Sequence, residues 1–222
     1  MSADTSAARI QAPPIIIKSL GTIAYEPCFQ AMQSAIAERD ADQADELWVL
    51  EHPSVYTLGQ AADRAHILRP SNSIPIIQTN RGGQVTYHGP GQLVVYTLLN
   101  LKRLMLNIRQ CVHLIEQSII QTLADYGVQA ERRTGAPGVY VNDAKIAALG
   151  LRVSRGFTYH GLSLNLEMDL SPFLQINPCG YQNLAVIDLK QLVPNLDCQQ
   201  AKQQLVHHLI KNLGYTQSCF QS

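Results

Sequence analysis

Apolar residues recur at helical spacing in three stretches of the chain. The clearest begins at Asn107, which can cap a helix with Gln110 at its third position, and it ends at Gly127. Its apolar stripe, in steps of four, three, four and four positions, consists of Ile108, Val112, Ile115, Ile119 and Leu123. A second amphipathic helix is predicted over 27–44, and a third follows the capping residue Asp197.

Shorter apolar runs, many of them β-branched, predict strands around these helices. They cover residues 15–20, 47–50, 74–78, 92–99, 139–141, 145–152 and 158–166. Pro75 favours a sheet edge for the third run, whereas the nearly continuous apolar run over 92–99 is typical of a sheet interior. This mixture predicts an α/β (α+β) fold, with a single domain over 15–222 after a flexible lead-in over 1–14.

Composition narrows the class of protein. The chain has 222 residues, of which 46% are hydrophobic and 15% charged, so it can bury a core and is not disordered. With 17 basic and 17 acidic residues, its net charge of zero disfavours a nucleic-acid-binding surface. The apolar runs are shorter than the roughly 20 residues that a membrane span needs. We therefore expect partners other than nucleic acid or a membrane.

Five widely spaced cysteines fit neither a disulfide framework nor a zinc site, and they favour a reducing cytoplasm. Cys179 is the best candidate for a reactive thiol, because a proline before it and a glycine after it hold it in a tight turn. A thiolate nucleophile needs a nearby cation. Since 156–189 contains neither Lys nor Arg, the cation must come from elsewhere, and both Lys145 and His88 are candidates.

A glycine-rich segment, R-G-G-Q-V-T-Y-H-G-P-G-Q over 81–92, leads directly into the strand predicted over 92–99. Four glycines and a proline predict a loop whose backbone can approach a ligand closely, and its polar side chains favour ligand binding over a plain turn. The segment is neither G-x-G-x-x-G nor a P-loop, so it does not indicate a nucleotide.

Two further segments place polar groups on apolar strands. Lys145 opens one of them, and on its own a lysine at a strand end is usually a solvated terminus. His160 in the other is more typical of a hydrogen-bonded scaffold residue than of a metal ligand, because no second histidine stands at ligand spacing.

Together these segments resemble the lipoyl(octanoyl) transferase family. The glycine-rich segment over 81–92 is similar to the family's central signature. K-I-A-A-L-G-L-R-V over 145–153, Y-H-G-L-S-L-N over 159–165 and N-P-C-G over 177–180 then follow in the family's order. The resemblance spans 44–192.

This resemblance implies a catalytic fold shared with biotin and lipoate protein ligases, and site residues at matching positions. Cys179 matches the acyl-thioester nucleophile, and Lys145 matches the residue that activates it. The segments implied to line the acyl substrate pocket contain Arg81, Gly82, Gly83, Gln84, Val85, Thr86, Tyr87, His88, Ala148, Leu149, Gly150, Gly161, Leu162 and Ser163. No metal and no cofactor is implied.

The implied reaction takes an octanoyl group from octanoyl acyl carrier protein and places it on a lysine of a lipoyl domain, as a first step of lipoate biosynthesis on proteins. The implied acceptors are the lipoyl domains of 2-oxoacid dehydrogenase complexes and the glycine cleavage H protein. Two alternatives stay open: an ATP-dependent lipoate or biotin protein ligase of the same fold, and a non-catalytic module that docks lipoyl domains. The ligase would need no nucleophilic cysteine, and the module would leave Cys179 and Lys145 without a role.

Overall fold

A computed structural model describes residues 14–69, 73–181 and 184–221, and within them the chain forms a mixed α/β single domain. Its main sheet has eight strands in the order β11-β1-β2-β6-β10-β9-β8-β7. These strands are β1 (Ile15–Thr22), β2 (Glu46–Glu51), β6 (Gln92–Leu98), β7 (Glu131–Arg132), β8 (Val139–Val141), β9 (Ala144–Ser154), β10 (Phe157–Asn165) and β11 (Ser218–Gln221). Only the pairs β1–β11 and β1–β2 are parallel. The boundary at residue 14 stays a prediction, since 1–13 lie outside the described residues.

Three longer helices cover the two faces of this sheet: α1 (Tyr25–Glu38), α2 (Ile108–Ala124) and α4 (Cys198–Asn212); α3 (Leu189–Leu192) is a single turn. Strand β6 lies inside the sheet, as predicted, and its side chains alternate between two cores. Leu93 and Val95 pack in the core that contains α2 and α4, whereas Val94 and Tyr96 pack in the core that contains α1. The run over 92–99 is therefore nearly continuous in apolar residues because both of its faces are buried.

A smaller sheet stands beside the main one, in the order β4-β3-β5, with β3 (Val55–Leu58), β4 (Ile76–Gln78) and β5 (Val85–His88). Its own core contains Tyr56, Val85, Tyr87 and Phe173. The edge position predicted for the run that contains Pro75 is confirmed, because β4 lies at one edge of this sheet.

The capping predictions for α2 and α4 are confirmed. The side chain of Asn107 accepts from the Gln110 N–H at 2.9 Å, and Gln110 reaches back to the Asn107 N–H, which completes a capping box. Asp197 accepts from two N–H groups at the start of α4. Within the predicted stripe of α2, however, Ile108 is 37% exposed and Val112 only half-buried.

Two sequence predictions of local structure are wrong. The helix predicted over 27–44 is α1, and it ends at Glu38 rather than at residue 44. Arg155 donates to carbonyls at its C-terminus, and the Asp40 carboxylate accepts from the backbone N–H groups that follow, which turns the chain. The segment over 81–92 is not a loop throughout, since Val85–His88 forms β5 and is buried. Glycines at both ends of this segment hid a strand of four residues, which is too short to show its period.

Candidate active site

The candidate nucleophile lies on a short 3-10 turn, Pro178–Gly180, that follows the main strands in sequence. Cys179 adopts a left-handed backbone conformation with φ of 57°, which is uncommon for a residue other than glycine and indicates local strain. Two backbone hydrogen bonds fix the turn: the Gly180 N–H donates to the Asn177 carbonyl, and the Asn177 N–H donates to the His66 carbonyl. The Cys179 side chain is therefore presented from a constrained turn, and it is only partly exposed.

Lys145 lies at the start of β9 and points its ammonium group at this thiol. Its Nζ donates to the Cys179 Sγ at 2.9 Å and to the Pro137 carbonyl at 3.2 Å, and it stands 5.2 Å from the centre of the Tyr140 ring. Only 4% of Lys145 is exposed. A buried lysine is therefore held against the one cysteine that sits in a strained turn.

The pKa of Lys145 shows which effect prevails at this pair. Burial favours the neutral amine, but the charge of the neighbouring Cys179 and the hydrogen bond to it favour the ammonium more strongly, so that the pKa is raised. The cysteines at Cys28 and Cys111 are different, because burial without a cation raises the pKa of each thiol to about 12. At Cys179, by contrast, the Lys145 Nζ stands 2.9 Å from the sulfur.

Both side chains open into a cavity of about 380 Å³. Apart from Tyr87, the predicted pocket residues all line it: Arg81, Gly82, Gly83, Gln84, Val85, Thr86, His88, Ala148, Leu149, Gly150, Gly161, Leu162 and Ser163. Tyr87 points instead into the small core, where its hydroxyl bonds Ser54 and its ring contacts Phe173. Thr86 and His88, which flank Tyr87 on β5, line the cavity, as alternation along a strand predicts, while Val85 packs in the small core and also lines the cavity.

Arg81 organises the wall of the cavity that the glycine-rich segment forms. Its guanidinium donates to the carbonyls of Thr57, Gly82 and Gln84, and to the Thr57 hydroxyl. Burial lowers the pKa of the Arg81 guanidinium from its ordinary value. Arginine nonetheless keeps its charge in proteins. No carboxylate within the described residues forms an ion pair with it. The cavity therefore has a fixed cation in its wall.

Two neutral histidines line another part of the cavity. Burial lowers the pKa of His88 and of His160 to about 3 each. The His88 Nδ1 bonds the Gln92 side-chain oxygen at 2.7 Å, and the His160 Nε2 bonds the Asn80 oxygen at 2.8 Å. The prediction of a hydrogen-bonded scaffold role fits His160, whose φ of 59° also places it in the left-handed region.

Several lining residues were not among those predicted from the sequence, and of these only Leu151 and His160 stand within a quoted motif. The lining residues not predicted are Tyr25, Val94, Tyr96, Ile108, Val112, Gly135, Ala136, Pro137, Leu151, His160 and Tyr181. The sequence signal for Ile108 and Val112 was their place in the apolar stripe predicted for α2. In the structure they are less buried than the rest of that stripe. No group of three or more His, Cys, Asp or Glu side chains within the described ranges could hold a metal ion. None of the described helices has the length and apolar character that a membrane span needs.

Comparison with known proteins identifies the family. Residues 25–210 match the lipoyl protein ligase A/B catalytic domain. An octanoyltransferase of Dechloromonas aromatica is 56% identical over 90% of this chain and 97% of its own length. One from Azoarcus sp. is 53% identical over 90% of this chain and 88% of its own length. The chain belongs to the octanoyltransferases of this family.

Solved structures of the same fold include ligases. A bi-partite lipoate protein ligase from Thermoplasma acidophilum superimposes with a TM-score of 0.71 at 14% identity, over 96% of this chain and 88% of that one. Biotin protein ligase from Aquifex aeolicus gives a TM-score of 0.55 at 14% identity, over 90% of this chain and 70% of that one. At such identities the likeness shows the fold alone, which confirms the predicted ligase-like architecture. The acyltransferase activity of the chain follows from the octanoyltransferase relatives.

Proposed function

We propose that this octanoyltransferase works through a covalent octanoyl thioester on Cys179, with octanoyl acyl carrier protein as the donor and a lipoyl-domain lysine as the acceptor. The observation that carries the proposal is the 2.9 Å contact between the Lys145 ammonium and the Cys179 sulfur inside the cavity. A thioester donor is already activated, so this route needs neither ATP nor a metal.

In the first half-reaction the Cys179 thiolate attacks the carbonyl carbon of the donor thioester. The bond from that carbon to the carrier sulfur breaks, and Lys145 gives its proton to the leaving thiolate. We propose that the Cys179 N–H, which donates to no acceptor within the described part of the chain, stabilises the oxyanion. The products are the free carrier thiol, the acyl-enzyme and a neutral Lys145 amine.

In the second half-reaction that neutral amine acts as the general base. Acylation removes the negative charge of Cys179, which is the main influence that raises the pKa of Lys145, whereas the burial that lowers this pKa remains. The acceptor lysine attacks the acyl carbon as a neutral amine, Lys145 takes the proton that the attacking nitrogen loses, and Cys179 leaves as a thiolate. An amide forms, and the original ammonium–thiolate pair is restored.

The apolar wall of the cavity suits the octanoyl chain. Val94, Val112, Leu149 and Leu162 line it without any charge. Gly161 keeps the neighbouring strands close, since a Cβ there would stand 2.1 Å from the Val95 carbonyl oxygen. These features support the pocket role that we assign to the glycine-containing segments over 81–88, 148–150 and 161–163.

The acceptor proteins that we propose are the lipoyl domains of 2-oxoacid dehydrogenase complexes and the glycine cleavage H protein. One of the structural neighbours was solved in a study of a lipoate protein ligase and its E2 lipoyl domain, which supports a lipoyl-domain acceptor for this fold. All five cysteines are free, which supports our proposal of a reducing cytoplasm.

The test is to mix the protein with octanoyl acyl carrier protein in the absence of ATP and to record its intact mass. We expect an octanoyl adduct that peptide mapping places on Cys179 and that a lipoyl domain then discharges. A strict ATP requirement, or full activity of Cys179→Ala, would overturn the thioester route in favour of the ligase chemistry.

A further inference from the structure

One buried carboxylate near the site has no part in the chemistry above. Glu116 lies in the middle of α2 between the core residues Ile115 and Ile119, and only 7% of it is exposed. Burying a charged group is costly unless it is paired and hydrogen-bonded. The partners of Glu116 therefore indicate what the carboxylate does.

The two carboxylate oxygens of Glu116 have different partners. Oε1 accepts a hydrogen bond from the backbone N–H of Gly138 at 3.0 Å, and Oε2 stands 3.3 Å from the Arg132 Nε. The first bond is buried and joins the helix to the segment that precedes β8. The second is an ion pair without a hydrogen bond, and the Arg132 Nε is buried although 27% of the Arg132 side chain is exposed.

The segment held by this bond runs from Gly135 to Gly138 and contacts Lys145 closely. The Pro137 carbonyl oxygen accepts a hydrogen bond from the Lys145 Nζ at 3.2 Å. A Cβ at Gly138 would stand 3.1 Å from the Lys145 Cε, 3.2 Å from Nζ and 2.7 Å from the Ala147 carbonyl oxygen. Gly138 also has a φ of 139°, a conformation that suits glycine. The backbone at this point can therefore approach the lysine only because residue 138 has no side chain.

We propose that Glu116 is a positioning residue for Lys145, acting through the Gly138 N–H and the Pro137 carbonyl. This inference rests on the proposed function, because it assigns Glu116 to the orientation of the lysine in the Cys179–Lys145 pair. While Lys145 is an ammonium, the Pro137 carbonyl satisfies one of its N–H groups and leaves another for Cys179. While Lys145 is neutral, the same carbonyl restricts where the amine lone pair points, which general-base catalysis requires.

The bond to Gly138 and the pair with Arg132 can be separated by substitution. Glu116→Met keeps much of the side-chain volume and removes both interactions. Glu116→Gln keeps an oxygen for the Gly138 N–H but removes the charge. Arg132→Gln removes the pair and leaves the bond to Gly138. Gly138→Ala disturbs the contact with Lys145 from the other side and leaves Glu116 in place.

The readouts are the rate of iodoacetamide alkylation of Cys179 against pH and single-turnover octanoyl transfer from saturating donor. For Glu116→Met and Gly138→Ala we expect the alkylation profile to move to higher pH, towards that of Lys145→Met. We expect transfer to slow by roughly tenfold, part of the usual contribution of a positioned base, with the KM for the donor unchanged. Glu116→Gln and Arg132→Gln should keep the wild-type profile and most of the rate.

The outcomes that would contradict the role of Glu116 differ from those that would contradict the role of the Cys179–Lys145 pair. If Glu116→Met and Gly138→Ala lower the melting temperature but leave the alkylation profile unchanged, Glu116 is only structural and the inference is wrong. It is also wrong if Glu116→Gln or Arg132→Gln shifts the profile as far as Glu116→Met. If Lys145→Met itself leaves the alkylation profile unchanged, Lys145 does not activate Cys179 as the proposed function requires, and the role of Glu116 is then wrong as well.

Discussion

Two groups of titratable side chains line the same cavity and have opposite protonation states. Lys145 is buried, yet its pKa is raised, because Cys179 lies 2.9 Å away. His88 and His160 are also buried, but their hydrogen-bond partners are uncharged amides, and burial lowers their pKa values to about 3. Burial alone therefore keeps these two histidines neutral, whereas Lys145 stays charged because the Cys179 sulfur lies within hydrogen-bond distance.

This comparison also separates chemistry from scaffolding. The Lys145–Cys179 pair can exchange a proton with a reacting group, because its two members stabilise each other's charged forms. The histidines remain neutral at any physiological pH, so they can hydrogen-bond the side chains of Gln92 and Asn80 without placing a second positive charge near Arg81.

The largest expected effect comes from removing the nucleophile. Cys179→Ala should lower single-turnover octanoyl transfer by on the order of a thousandfold or more, because the covalent route is lost. The matched control is Cys111→Ala, whose thiol is buried within α2 and has no cation beside it. Transfer assays on both variants check this, after circular dichroism has verified that each variant is folded. A Cys179→Ala variant that retains a tenth of the activity would contradict the nucleophile assignment.

The next effect tests the charged half of the comparison. Lys145→Met should slow transfer by about a hundredfold at neutral pH, because it removes both the ammonium and the base. Alkylation of Cys179 should recover at higher pH, as the thiol ionises unaided, whereas transfer to the lipoyl domain should stay slow.

Lys145→Arg sharpens this test. Arginine keeps a cation beside Cys179 but does not readily accept a proton, so we expect it to preserve part of the alkylation rate and little of the transfer to the lipoyl domain. If Lys145→Met and Lys145→Arg have the same alkylation profile as the wild type, the activating group is not Lys145.

The neutral half of the comparison predicts a pH dependence of stability. The pKa of each histidine is lower in the folded protein, at about 3, than its ordinary value of 6.5. Each histidine therefore makes its full contribution to the stability of the fold above pH 6.5, and this contribution is lost as the pH falls towards 3. Each histidine should lower the free energy of unfolding by roughly 2 kcal/mol at pH 5 relative to pH 7. Denaturant titrations of wild type and His160→Gln check this, and the variant should show the weaker loss. Equal losses in both proteins would contradict a buried, neutral His160.

The smallest effect compares the thiols themselves. At pH 7 Cys179 should react with iodoacetamide roughly tenfold faster than the exposed Cys219, because the neighbouring ammonium favours the thiolate. Cys28 and Cys111 should react slowest, since burial raises the pKa of each to about 12. Peptide mapping after brief labelling checks this order of reactivity. A label found mainly on Cys111 or Cys198 would contradict it.

Local patterns in the sequence were sufficient for six of the eight strands of the main sheet and for the capped helices. Both α2 and α4 begin at the predicted caps, and β6 lies inside the sheet, because capping and continuous apolar runs are local properties. Four strands were missed, namely β3, β5, β7 and β11, and each has only two to four residues. Strands this short depend on their partners and show too few residues for a period of two.

The sequence by itself determined the family, the candidate nucleophile and most of the residues that line the cavity, because motif residues stand in fixed order along the chain. Only the tertiary structure decided that Lys145, rather than His88, contacts Cys179, and that Tyr87 faces away from the cavity. It also decided that Glu116 anchors the segment that touches Lys145. The physical reason is distance in the chain: Lys145 and Cys179 are brought together by the packing of separate elements, and hydrogen bonds between them follow from that packing rather than from any local pattern.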